Sequence, residues 1–182
     1  MIILCGIKHC GKSTIGDTLS ELLKIPFVDV DTEIENITGK SCRELYLQDG
    51  KEAFMKAEAQ ACENICKNQN LENAIIATGG GICDNELAIK FLTSSDKSKL
   101  YYIDVEEDIA FERICHNKEK TGSWPGWISK DIYDDLGKIK EVFHNFYTER
   151  TKKYKGLCSR VVPVEKGDSK KAAEYIMEVE KA

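Results

Sequence analysis

The sequence predicts a three-layer α/β domain, a five-stranded parallel sheet with helices on both faces. Three observations predict it. Short apolar runs alternate with longer amphipathic stretches, the switch of period that a layered fold requires. Five such runs are separated by chain long enough for helical crossovers, which implies parallel strands covered on both sides. The chain has 182 residues, 42% of them hydrophobic, enough for one compact core without disulfides or a structural metal.

Taken in order, Ile2–Cys5 is the first strand, and an amphipathic helix follows over Lys12–Leu23. Phe27–Val30 is the second strand. Ser41-Cys42-Arg43-Glu44 reads as a capping box, with Ser41 the N-cap of a helix to Leu47 and Glu44 reaching back to its amide. A further helix runs over Gly50–Cys66, then a third strand over Ala74–Thr78 and a helix over Asn85–Thr93. Strand Lys99–Val105, helix Glu106–Asn117, helix Ile132–Tyr154, strand Arg160–Val164 and helix Asp168–Val179 complete the alternation. The segment from His116 to Lys130, with Gly122, Pro125, Gly126 and two exposed-looking tryptophans, breaks the rhythm and is expected to be a long lid loop. No repeat or low-complexity linker divides residues 1–182, so a single domain is expected.

Composition excludes several classes of function. A net charge of -5 argues against general nucleic-acid binding, which needs a concentrated basic surface. Apolar runs such as Ala74–Ala77 are far too short for a membrane span, and the first residues lack the pattern of a secretory signal. A cytoplasmic monomer is expected, with neither nucleic acid nor membrane as partner. The eight cysteines form no C-x-x-C pair, and Cys62 and Cys66 have the spacing of one helix face, so reduced core thiols are expected.

Gly6-Ile7-Lys8-His9-Cys10-Gly11-Lys12-Ser13 fits G-x-x-x-x-G-K-[ST], directly after a strand and before a helix. That is a P-loop, and with it the domain is expected to have the P-loop NTPase fold. Its glycines let successive amides face one anion, and the helix start adds unpaired N–H groups with partial positive charge. Residues Lys8, His9, Cys10, Gly11, Lys12, Ser13 and Thr14 are therefore expected to cradle ATP. Lys12 is placed on the β- and γ-phosphates and Ser13 on Mg²⁺. A switch or ATPase of the same fold would need instead an acidic strand end after a hydrophobic run and a residue positioning water.

Asp29 and Asp31 close the second strand two residues apart, which in extended chain puts both carboxylates on one side. One is suited to hold Mg²⁺ through water, the other to orient an acceptor hydroxyl as general base. Alternatively Asp31 caps a helix starting at Thr32. Gly79-Gly80-Gly81 follows the third strand at its carboxyl edge, where ligands bind in open α/β sheets, and either admits an acceptor to bare backbone or makes a tight turn.

In order along nearly the whole chain, Gly6–Ser13, Asp29 with Asp31, Gly50–Glu58, Gly79–Gly81 and Arg150–Tyr154 resemble the shikimate kinases. The resemblance implies a sheet ordered 2-3-1-4-5 and transfer of the ATP γ-phosphoryl group to shikimate, giving shikimate 3-phosphate on the way to chorismate and the aromatic amino acids. It implies Asp31 as base on the acceptor hydroxyl, Asp29 as support for Mg²⁺, Gly79–Gly81 with Arg150 around the acceptor, and Arg113 beside the nucleotide. Met55 departs from it, standing where the family has the arginine that pairs with the shikimate carboxylate. Lys56 and Arg150 are the candidate replacements, although Lys56 points roughly 100° away from Met55 on a helix. The lid lacks an arginine beside Pro125, leaving Lys118 or Lys120, and Lys152 replaces a proline. Trp124 and Trp127 either exclude water from a closed lid or pack on the domain edge. Two other functions fit these departures, a kinase for another polyol or hydroxy acid and a nucleotide-binding paralogue with little turnover.

Overall fold

The computed structural model describes residues 1–165 and 168–181. Its five strands form one parallel sheet in the order β2-β3-β1-β4-β5, with helices on both sides. β1 (Ile2–Cys5) is central and wholly buried, pairing with β3 (Ile75–Ala77) on one side and β4 (Lys99–Val105) on the other. A continuous apolar strand is what a position covered above and below demands. β2 (Phe27–Asp29) pairs with β3, and among the described residues β5 (Arg160–Val164) pairs with β4 alone. Pro163 in β5 accords with that edge position, since proline has no N–H for a second neighbour.

α1 (Lys12–Leu23) packs against α7 (Ser169–Lys181) and over β3, while α2 (Val30–Thr38), α3 (Cys42–Lys67) and α4 (Glu86–Leu92) pack in series. The expected capping box opens α3: Ser41 Oγ accepts from the Glu44 amide at 3.2 Å, and Glu44 Oε2 accepts from the Ser41 amide at 3.0 Å. The two helices expected over Ser41–Leu47 and Gly50–Cys66 are joined, but Gly50 stands between them at φ 89, ψ 176, so the helix kinks there. A left-handed φ of this kind suits glycine, which has no Cβ to clash.

The remaining differences lie at ends of elements. α5 (Glu107–Thr121) runs four residues past the expected Asn117, and the lid loop is correspondingly shortened. α6 (Leu136–Leu157) starts after a short 3₁₀ turn at Lys130–Ile132, with Asp135 as its N-cap. The second strand stops at Asp29 because that side chain accepts from the Asp31 amide and starts α2 at Val30. Among the described residues no helix is long and apolar enough to cross a membrane.

The two central strands deliver the site. β1 leads into the P-loop and β3 into the triple-glycine loop, and the two exits are clamped together at Thr78. Its amide and its hydroxyl both donate to the Leu4 carbonyl, at 3.1 and 3.0 Å.

Candidate active site

Gly11 at φ 106 starts α1 with no side-chain cap, so the first amides of the helix face the cavity unbonded by any side chain. Lys12 is only 8% exposed, and its Nζ donates to the carbonyls of Gly6 and Ile7, each at 2.9 Å. Ser13 Oγ donates to Asp29 Oδ2 at 2.8 Å, bringing a hydroxyl and a carboxylate to one point. Arg113 reaches from α5 to donate to the His9 carbonyl at 3.0 Å, bracing the loop.

His9 is the strained member of the loop. It sits at φ 66, a left-handed conformation costly for a side chain bearing Cβ, and its Nε2 is buried without a partner among the described residues. Burial, and then the charges of Lys8, Lys12 and Arg113, push its ring down to about 4, so it is neutral at neutral pH. Lys8, His9, Gly11, Lys12, Ser13 and Thr14 all line the cavity. Cys10 does not. Its thiol is fully buried against Lys12 Nζ at 3.5 Å and its amide donates to the Ile7 carbonyl at 3.3 Å, so the loop uses it internally.

On the acceptor side the geometry corrects the expected one. Asp29 and Asp31 are not two residues of one strand: Asp29 ends β2 and caps α2, and Asp31 lies in the first turn of that helix. The alternative in which Asp31 caps a helix from Thr32 is likewise overturned, since the cap is Asp29. The carboxylates still share a site. Burial, followed by the charge of Asp29, raises the Asp31 carboxyl above its ordinary range, while Lys12 and Lys8 oppose the rise.

The three glycines serve different needs. A Cβ on Gly79 would lie 2.8 Å from Glu58 Oε1 and 3.2 Å from Asp31 Oδ1, so this position is bare where two carboxylates converge. A Cβ on Gly80 would lie 2.7 Å from the Lys8 amide nitrogen, so Gly80 lets the P-loop backbone approach. Gly81 meets only Arg150 Nη1, at 3.7 Å.

Glu58, inside the motif span Gly50–Glu58 but not singled out in the sequence, is a central member of the site. It is 1% exposed; Asn85 Nδ2 donates to its Oε2 at 2.8 Å, and its Oε1 has no partner among the described residues. Burial pushes its carboxyl up to about 7 despite the Asn85 hydrogen bond. Asn85 also donates to the Met55 carbonyl at 2.8 Å and caps α4. Arg150 is no surface residue: its side chain is 15% exposed, its guanidinium lies over the Phe146 ring at 5.1 Å, and it pairs with Asp84 at 2.6 Å. Asp84 pairs with Lys153 as well, at 2.8 Å. An acidic partner for Arg150 had no motif to signal it and appears only when α6 packs beside the glycine loop.

The lid also departs from expectation. Trp124 is 5% exposed and Trp127 lies flat on Phe146 with centroids 4.4 Å apart, so neither tryptophan projects into solvent. Lys118 sits over the Trp124 ring at 5.8 Å, away from the cavity wall, and Lys120 does not line it either. The cation the lid does present to the cavity is Lys130, from the 3₁₀ turn. Met55 lines the acceptor end; Lys56 does not.

These groups surround one continuous cavity of about 1330 Å³, which the P-loop, the carboxylates and the glycine loop line together. The family described as Shikimate kinase matches residues 8–180. The chain belongs to the shikimate kinase family. It is 32% identical over 155 residues to a shikimate kinase of Aquifex aeolicus, covering 85% of this chain and 86% of that one. A solved shikimate kinase of Aquifex aeolicus superposes with a TM-score of 0.73 at 29% identity, over 99% of this chain and 95% of that one. A shikimate kinase from Acinetobacter baumannii, solved in complex with shikimate, gives 0.80 over 99% of this chain and 92% of that one; at 22% identity it supports the fold alone. Membership in the shikimate kinase family makes the chain an ATP-dependent kinase acting on an alcohol.

Proposed function

We propose that this chain transfers the γ-phosphoryl group of ATP, as its magnesium complex, to a hydroxyl of shikimate. One observation carries the reading: a phosphate cradle and a buried carboxylate cluster line a single cavity large enough for a nucleotide and a small acceptor together, and they meet where Ser13 donates to Asp29. The order β2-β3-β1-β4-β5 supports it by putting the P-loop and the acceptor glycines on adjacent strand ends.

In this reading the Lys12 ammonium leaves the Gly6 and Ile7 carbonyls for the β- and γ-phosphate oxygens, where it offsets the charge of the transferring group. The α1 amides bind the same oxygens, and Arg113 keeps the loop in register through the His9 carbonyl. Asp31 accepts the proton of the attacking hydroxyl, a role its raised proton affinity suits. Ser13 and Asp29 would hold magnesium: their oxygens converge at 2.8 Å, and one or two protein oxygens beside phosphates and water is the usual donor set of that ion. Held by these two residues, magnesium would supply positive charge to offset that of the phosphates. The lid residues Pro125–Lys130 line the cavity and would exclude water once they close over the bound substrates.

Met55 favours one competing reading, a different polyol or hydroxy acid as acceptor, because a thioether on this wall gives a carboxylate nothing to pair with. Coupled ADP-release assays with shikimate, with gluconate and with no acceptor decide between them. Shikimate at millimolar concentration is expected to stimulate ADP release, and Lys12→Ala to abolish it. No stimulation by shikimate, or stimulation by gluconate alone, rejects the proposal.

A further inference from the structure

The acceptor end of the cavity is acidic. Asp31, Glu58 and Asp84 all line it, and a carboxylate on the acceptor must be kept away from all three while a hydroxyl of the same molecule reaches Asp31. Arg150, the obvious cation, is already committed: Asp84 holds it at 2.6 Å, and its Nη1 donates to Cys83 Sγ at 3.1 Å. Met55 has no charge. The wall formed by α3 carries two further cations, Arg43 and Lys51.

In the helical segment that follows Gly50, Lys51 and Met55 both line that wall and stand four apart. Lys51 therefore lies one turn, about 5.4 Å, before Met55 on the same face. A helical side chain leans toward the N-terminus, so a group seated over Met55 falls within the span of the lysine stem. Gly50, at φ 89 and ψ 176, breaks the helix immediately before, and Lys51 opens the second helical segment at its positive end. Among the described residues Lys51 makes no ion pair, and its side chain is exposed to the cavity. Lys56, one position beyond Met55, is off this face.

We propose that Lys51 supplies the positive charge that holds the acceptor's carboxylate, with Met55 packing beneath the ring and Asp31 at the hydroxyl end. The assignment rests on shikimate being the acceptor. It makes Lys51 a specificity-determining residue: it selects carboxylate-bearing acceptors and takes no part in the transfer itself. Arg150 then positions the glycine loop, through the Gly80 carbonyl at 3.5 Å, and its charge stays balanced by Asp84.

The test compares shikimate with its methyl ester, the same ring without the charge, in wild type, Lys51→Ala and Lys51→Arg. Lys51→Ala is expected to raise the KM for shikimate about 10- to 100-fold, the range for loss of one charged hydrogen bond, with little change in the KM for ATP. The KM for the ester should move less than about 2-fold, and Lys51→Arg should recover most of the shikimate affinity. An unchanged KM for shikimate in an active Lys51→Ala enzyme, or an equal rise for shikimate and ester, overturns the assignment while leaving the proposed reaction standing. Wild type inactive toward shikimate overturns the proposed reaction and this assignment together.

Discussion

Replacing Glu58 by glutamine tests the electrostatics of the acceptor wall through stability alone, without any substrate. Glu58 is 1% exposed, and burial raises its carboxyl from an ordinary 4.5 to about 7. A carboxyl whose proton affinity rises on folding stabilises the fold while it stays protonated. That contribution is fully present below about pH 4.5 and is lost as pH climbs through about 7. At the alkaline end the folded protein carries a desolvated charge whose penalty, from the size of the shift, is about 3 kcal/mol. Glutamine keeps an oxygen for Asn85 Nδ2 and has no charge to bury. Glu58→Gln should therefore match wild type near pH 5 and exceed it near pH 8 by up to ~3 kcal/mol, or ~6 to 12 °C in Tm for a chain of this size. Thermal denaturation from about pH 5 to about pH 9 reads this directly. Parallel pH profiles for the two proteins would refute it, because a Glu58 ionised at no cost cannot lie in a dry site.

Asp31→Asn should lower kcat by about 10²- to 10⁴-fold while leaving the KM for ATP near its wild-type value, and a stopped assay with shikimate measures both. The wild-type rate should fall on acidification as the Asp31 base takes up a proton; a rate flat to below about pH 4 counts against Asp31 as base. Gly80→Ala drives a Cβ to 2.7 Å from the Lys8 amide nitrogen, backbone that cannot swing aside, so the P-loop must shift; kcat/KM should drop about 100-fold, and an enzyme of wild-type activity would show that the two loops do not need this contact. Met55→Arg places a guanidinium beside Lys51 on the same wall and should lower the KM for shikimate roughly tenfold; an unchanged or higher value would place the acceptor carboxylate elsewhere.

Much of the fold was legible because it depends on local patterns. The apolar run Ile2–Cys5, the phosphate-loop spacing after it and the capping box at Ser41 each state their conformation within a few residues, and all three appear as read. The strand order, taken from family resemblance and not from the runs themselves, also stands. Boundaries were less legible. Asp29 competes for the Asp31 amide and turns the strand into a helix one residue early, and α5 continues through Lys118 to Gly122, which provides a left-handed C-cap at φ 74. The tryptophans misled because a polar neighbourhood in sequence says nothing of a partner distant in the chain; Phe146, on α6, is what covers Trp127.

By itself the sequence determined which chemistry is available: a lysine and a hydroxyl behind a glycine-bounded phosphate loop, two nearby aspartates, and a methionine where an arginine was expected. Those are matters of residue identity and short spacing. Only the tertiary structure decided which charges remain free to act. The partnering of Arg150 with Asp84, the burial that raises Glu58 and the exposure of Lys51 beside Met55 arise from α3, α4 and α6 meeting at the glycine loop. Charge strength depends on dielectric and on neighbours in space, and neither is written in the order of residues along the chain.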